Sequence, residues 1–233
     1  MKISSILILL VIFNSLSIYP QEFDYSFKEA YKTSEPVKLN IASSDSNIEV
    51  VSHDKNVIEV YFVVKKGRKL LDITKSQLYE AIKGQSQLNI ENSTSQLNIE
   101  LKNIAKGYLN HKAAILIDFI VRVPKQTSAH LKSSDGSILL QGLIANQSCI
   151  TSDGGIELID LNGDITAKTS DGPIIATNII GDLTAITSDG NIKLKDIDGG
   201  GKAITSDGDI YLSNVNGNIY CKAEEGEVVK VNE

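Results

Sequence analysis

The sequence predicts an all-β fold: a parallel β-solenoid, that is, a single-stranded, right-handed β-helix with 18-residue rungs. Three observations predict it. The first is a recurring tetrapeptide. Ser133-Ser134-Asp135-Gly136 is followed at 18-residue intervals by Thr151-Ser152-Asp153-Gly154, Thr169-Ser170-Asp171-Gly172, Thr187-Ser188-Asp189-Gly190 and Thr205-Ser206-Asp207-Gly208, with Ala223-Glu224-Glu225-Gly226 one period further on. A fixed short period marks one structural unit stacked on itself. The second is apolar alternation. Counting from the Ser/Thr, position 6 is Ile138, Ile156, Ile174, Ile192 and Ile210, and position 8 is Leu140, Leu158, Ala176, Leu194 and Leu212. Positions 15 and 17 alternate in the same way, and a period of two means strands with one buried face. The third is turn chemistry: Asp-Gly at positions 3 and 4, and Gly163, Gly181, Gly199 and Gly217 at position 13. Glycine accepts positive φ at such corners. One 18-residue unit cannot bury its apolar face alone, whereas stacked units bury like residues on like. The right hand follows from the usual sense of parallel crossovers. The left-handed hexapeptide helix is excluded because its apolar positions recur every six residues.

These tandem SDG-x-I-x-L units, behind an exported leader and an N-terminal strand region, resemble the bacterial putative-adhesin domains of unknown function. The resemblance runs from about residue 37 to the C-terminus. It implies a β-strand-repeat fold and an adhesin-like role, with no catalytic set to carry over.

In chain order, residues 1–21 read as a signal peptide. Lys2 supplies the positive charge, Ile6 to Phe13 the apolar run, and cleavage falls between Ser17 and Gln21. The apolar run is too short to span a bilayer. Residues 22–233 are expected to form one solenoid domain. Its parts are early rungs at 37–64, an irregular excursion with a short helix at 65–112, and regular rungs at 113–233. Within the early rungs, Ser43, Asp45, Ile48 and Val50 occupy positions 1, 3, 6 and 8, and Val57 to Val64 reads as a further strand. In the excursion, Thr74 caps a helix running to about Ile82 with Gly84 as its stop. Ser86-Gln87-Leu88-Asn89-Ile90 recurs at Ser95 to Ile99, suggesting a hairpin over one flank or end of the coil. Ala113 to Val123 is the most apolar strand, and Ala129 and Leu131 take positions 15 and 17 of the rung before Ser133.

No catalytic or metal site is expected. Asp135, Asp153, Asp171, Asp189 and Asp207 stack into a carboxylate column, with Asp45 and Glu225 in matching positions. Such a column invites weak Ca²⁺ binding. The favoured role is turn formation, each carboxylate bonding backbone N–H groups of its own turn. The threonines at position 1 form a second column. Ice binding needs an outward array, but alternation places position 1 inward. The outward position 7 reads Leu139, Glu157, Ile175, Lys193, Tyr211, which is no regular lattice. Cys149 and Cys221 share position 17 four rungs apart, roughly 19 Å, far beyond disulfide reach. They are expected to be free, buried thiols. His53, His111 and His130 are scattered, matching no nucleophile or metal spacing. Net charge is −6, about −7 without Lys2, and the Lys and Arg residues form no stripe, which argues against nucleic acid.

The chain therefore reads as a monomeric, non-enzymatic scaffold without cofactors. It is exported to the periplasm, the cell surface or the medium, with no membrane segment in its mature form, and binds an envelope protein or polysaccharide. One alternative is a carbohydrate-active β-helix enzyme, for which only residues 65–112 could supply cleft-forming loops. The other is a self-assembling envelope filament, opposed by Glu224, Glu225, Glu227 and Lys230 on the last rung.

Overall fold

Every apolar–polar alternation in the repeat is a strand. The computed structural model describes residues 23–34, 36–105 and 114–231. The leader at 1–21, His111 and residues 106–112 of the excursion lie outside the described residues. The N-terminal portion comprises β1 (Phe27–Lys32), β2 (Val37–Ser43), β3 (Ile48–His53), β4 (Val57–Lys66), β5 (Lys69–Leu70), α1 (Lys75–Ala81), β6 (Ser86–Asn92), β7 (Gln96–Asn103) and β8 (Ile115–Pro124). The repeats then give β9 (Thr127–Lys132), β10 (Ile138–Gln141), β11 (Gln147–Ile150), β12 (Ile156–Asn162), β13 (Ile165–Lys168), β14 (Ile174–Ile180), β15 (Leu183–Ile186) and β16 (Ile192–Asp198). The last four are β17 (Gly201–Thr205), β18 (Ile210–Asn216), β19 (Ile219–Ala223) and β20 (Val228–Val231).

The strands form two sheets around one apolar core. The first runs β1-β4-β8-β3-β10-β12-β14-β16-β18-β20, with β5 on β4; the second runs β19-β17-β15-β13-β11-β9-β2-β7-β6. Within the repeats all pairing is parallel, and like meets like. Ile138, Ile156, Ile174, Ile192, Ile210 and Val228 are successive partners in the first sheet. Cys149, Ala167, Ala185, Ala203 and Cys221 are successive partners in the second. Ile174, Ile192, Ala185 and Ala203 are fully buried.

Both thiols are free. Cys149 is buried, and its burial pushes the thiol pKa up to about 12. Cys221 departs from expectation: it is only half-buried, because no strand beyond β19 covers it among the described residues.

The N-terminal portion differs from a simple succession of rungs. The pair β2 and β3 aligns with the repeat in register, Ile41 on Leu131 and Ile48 on Ile138. Yet it is wedged between the β7–β8 pair and the β9–β10 pair, since β2 also pairs with β7 and β3 with β8. The chain lays down the middle rung first and closes around it. Val57–Val64, expected as an early rung, lies in β4, which is antiparallel to both β1 and β8. A direct return after the short Asp54–Asn56 turn leaves no length for a crossover to a parallel strand.

The duplicated segment is an antiparallel hairpin, β6 on β7, with Ile90 opposite Ile99. Helix α1 has Thr74 as N-cap and a complete capping box with Gln77, and it buries Leu78 and Ile82 in the common core. Lys75 ties it to β1, its Nζ donating to both Glu29 carboxylate oxygens at 2.8 Å, while the Tyr31 hydroxyl also donates to Glu29.

Candidate functional site

Asp135, Asp153, Asp171, Asp189 and Asp207 all stand exposed at one corner, one per turn, as does Asp45. In four of these turns the corner N–H is met by another group. Ser133, Thr169, Thr187 and Thr205 accept the N–H of Gly136, Gly172, Gly190 and Gly208 at 3.1–3.3 Å. The same threonine hydroxyls point into the preceding turn. Thr187 Oγ1 lies 3.0 Å from the Ser170 carbonyl oxygen and 3.1 Å from that of Gly172. Position 1 is thus inward, and its buried hydroxyl stitches each turn to the last. A hydroxyl reaches this donor because it sits on the inside of the bend, while the carboxylate, two residues on, has turned out to water.

The following glycines are not at positive φ, contrary to expectation. They are required by contact. A Cβ on Gly190 would lie 2.0 Å from the Gly172 carbonyl oxygen, and one on Gly172 2.1 Å from that of Gly154. Positive φ does occur at Gly163, Gly181 and Gly217. It also occurs at a column the sequence reading missed: Gly142, Asp160, Asn178, Asp196 and Asn214, all with φ between 50° and 77°. The signal was there, since Gly, Asn and Asp are the residues that tolerate this region. Within the column Asn178 donates to Asp160 at 2.7 Å and Asn214 to Asp196 at 2.6 Å.

Among the described residues, no three His, Cys, Asp or Glu side chains gather at a point where they could hold a metal ion. Because the exposed Asp171 carboxylate closes no backbone bond among the described residues, Asp171→Asn should shift the melting temperature by no more than a degree or two. Millimolar Ca²⁺ should leave the melting curves of parent and variant superimposed, since a ligand stabilises only by favouring the native state. Thermal melting with Ca²⁺ or chelator checks both. A rise of many degrees in the parent, absent in Asp171→Asn, would return the column to cation binding.

The outer faces of the two sheets differ in chemistry. On the first sheet an open concavity of about 480 Å³ lies across β8, β3, β10, β12 and the start of β14. Its floor alternates along the stack as Ile120, Glu49, Leu139, Glu157, Ile175, which are successive partners. Lys65 and Asp118, paired at 2.8 Å, and Pro173 form its rim. Arg122 reaches Glu49 at 3.6 Å.

On the second sheet, twelve side chains from β9 to β19 point outward. They are His130, Ser148, Thr166, Thr184, Lys202 and Tyr220 in one column, and Lys132, Ile150, Lys168, Ile186, Ile204 and Lys222 in the next. Four lysines therefore share one face, whereas the linear sequence shows no stripe. Their spacings of 36, 34 and 20 residues conceal it until the turns are stacked. Of the three histidines, His130 stands exposed here, and His53 sits at the end of β3, its Nδ1 accepting from the Lys55 N–H at 2.9 Å.

No helix of the described residues is long and apolar enough to cross a membrane. No known family model matches the chain, and no curated protein matches it. Among solved structures it is similar to a putative adhesin from Bacteroides fragilis, with 10% identity and a TM-score of 0.46 over 88% of this chain and 96% of that one. It is similar to a putative lipid binding protein from Parabacteroides distasonis, with 15% identity and a TM-score of 0.42 over 88% of this chain and 92% of that one. It is also similar to a putative cell adhesion protein from Clostridium sporogenes, with 9% identity and a TM-score of 0.31 over 89% of this chain and 99% of that one.

Proposed function

We infer that the protein is a non-enzymatic, adhesin-like scaffold of the cell envelope, which presents the outer faces of its coil to a protein or glycan partner. The observation that carries this reading is the pair of continuous outer faces, each built from strands paired in register and separated only by short turns. Stacking of this kind makes broad, stiff surfaces of regular chemistry. A glycosidase needs the opposite, long loops that wall a cleft around two facing carboxylates.

The remaining parts fit the same reading. Residues 1–21 act as a cleaved signal peptide and deliver the chain across the membrane. The mature domain, 22–233, is a monomeric, right-handed coil of 18-residue rungs. The Asp column serves its turns, as short polar side chains that keep the corners soluble. The groove on the first sheet is the contact surface for a protein partner, because its floor sets Ile120, Leu139 and Ile175 as apolar contacts between the charged groups of Glu49 and Glu157.

The test uses mature protein on beads, exposed to envelope fractions of the cells that make it. Retention should be saturable, should fall at least fivefold when Leu139 and Ile175 are both changed to Glu, and should release the retained material uncut. Fragmented polysaccharide with new reducing ends would contradict the non-enzymatic reading. Retention unchanged in the double variant would contradict the assignment of the groove.

A further inference from the structure

We propose that the outer face of the second sheet binds a linear acidic polysaccharide laid along the axis of the stack. The inference rests on the reading of the coil as a binding scaffold and names the ligand class for one of its faces.

Charge is segregated on this face. Residues 127–231 contain fifteen Asp and Glu against seven Lys. Yet the twelve outward side chains of this face, from His130 to Lys222, include four of those lysines, one histidine and no carboxylate. Lys132, Lys168 and Lys202 carry no ion pair among the described residues, and only Lys222 has one, with Glu224. These three ammonium groups are exposed and free to meet an anion.

The lysines are spaced to suit a sugar chain. Strands in a sheet lie about 4.8 Å apart, so Lys132, Lys168 and Lys202, each two strands from the next, recur about every 9.6 Å along the stack, with Lys202 in the column beside the other two. An extended β-linked sugar chain advances by close to one strand spacing per pyranose. A polymer with one acid group per disaccharide therefore presents its charges in step with these lysines. Between them Ser148, Thr166 and Thr184 offer hydroxyls, and Ile150, Ile186 and Ile204 offer apolar contact to the sugar ring faces.

The basic strip is narrow. Both margins of the face are acidic: Asp135, Asp153, Asp171, Asp189 and Asp207 along one corner, and Asp164 and Asp182 along the other. The two outward columns are only about 6.6 Å apart. A single sugar chain fits between the margins and touches only the basic strip. An anionic bilayer, or a nucleic-acid duplex, is broad enough to lie over both rows of Asp and be repelled by them. Single-stranded nucleic acid is held largely by bases stacked on successive aromatic rings, and the twelve carry only two rings, His130 and Tyr220, at opposite ends of the face.

Fluorescent hyaluronan oligosaccharides, with one carboxylate per disaccharide, provide the probe, and neutral dextran the uncharged control. Anisotropy titration of the mature protein should show hyaluronan binding that weakens steeply with salt, since released counterions oppose it, and no dextran binding. Lys168→Glu with Lys202→Glu should lower the affinity at least tenfold. Lys193→Glu with Lys195→Glu, the same charge change on the first sheet, should lower it less than twofold, with circular dichroism showing both variants folded. Equal losses in the two variants, or no hyaluronan binding by the parent, would overturn the proposal. So would binding to phosphatidylglycerol vesicles that depends on Lys168 and Lys202 while hyaluronan fails to bind. If hyaluronan fails while envelope retention still depends on Leu139 and Ile175, the scaffold reading stands and this ligand assignment falls.

Discussion

Ile192→Asp should abolish cooperative folding. Ile192 is fully buried, with Ile174 on one side of it in the first sheet and Ile210 on the other. A carboxylate there loses its hydration, finds no cation within the apolar column, and interrupts the stack on both sides. Burying an unpaired charge is among the few single changes that cost more than about 4 kcal/mol. That is comparable to the whole stability of many domains, about 5–15 kcal/mol. The neighbouring change Lys193→Asp, one residue along the same strand, should leave melting nearly unaltered, because that side chain points to solvent. Far-UV circular dichroism against temperature separates the two. A parent-like transition in Ile192→Asp would show that position 6 does not face the core.

Gly190→Ala should be almost as severe, although it adds a single methyl group. The Cβ would stand 2.0 Å from the Gly172 carbonyl oxygen and 2.5 Å from its carbon. Both are backbone atoms of the neighbouring turn, so relief requires prising two turns apart and breaking the Thr187 hydroxyl contacts on either side. We expect a loss of about 3–5 kcal/mol, the range for overpacking combined with a broken buried hydrogen-bond network. Gly190→Asn discriminates the cause. Were positive φ the reason for glycine, Asn would be the mildest replacement, as it tolerates that region. Since the obstacle is the Cβ itself, Asn should be no better than Ala. Chemical denaturation of the two variants measures this, and an Asn variant close to the parent would contradict the contact argument.

The repeats were legible because each residue type answers to one local demand. Ile at position 6, Leu at position 8 and Thr at position 1 each fill an inward site that recurs in every turn, so alternation alone gives their direction. The order of the N-terminal rungs was not legible. Leu39 and Ile41 of β2 offer the same alternation to β7 as to β9. A rung therefore carries little in its own sequence to name its neighbours. Chain closure through β4 and the β6–β7 hairpin decides the matter, and those are long-range events.

The corner glycines were identified correctly but for the wrong cause, since φ and close approach both select glycine and only coordinates separate them. Of the two proposed contact surfaces, the groove depends on Ile120 and Glu49 coming beside Leu139, which joins residues far apart in the chain. The lysine face needs the turns to be superimposed before Lys132, Lys168, Lys202 and Lys222 stand together.

The stacking register underlies both faces, and the two cysteines measure it most directly. Cys149 and Cys221 lie in one column with Ala167, Ala185 and Ala203 between them. That places them roughly 19 Å apart, four strand spacings, against the ~7 Å limit for bridged Cα atoms. Unreduced mature protein should be alkylated at Cys221 alone while folded, because Cys149 is buried and its thiol is held protonated. After denaturation without reductant, mass spectrometry should count two alkylated thiols. A monomer that takes up no label, with Cys149 bridged to Cys221, would contradict the register and the faces built on it.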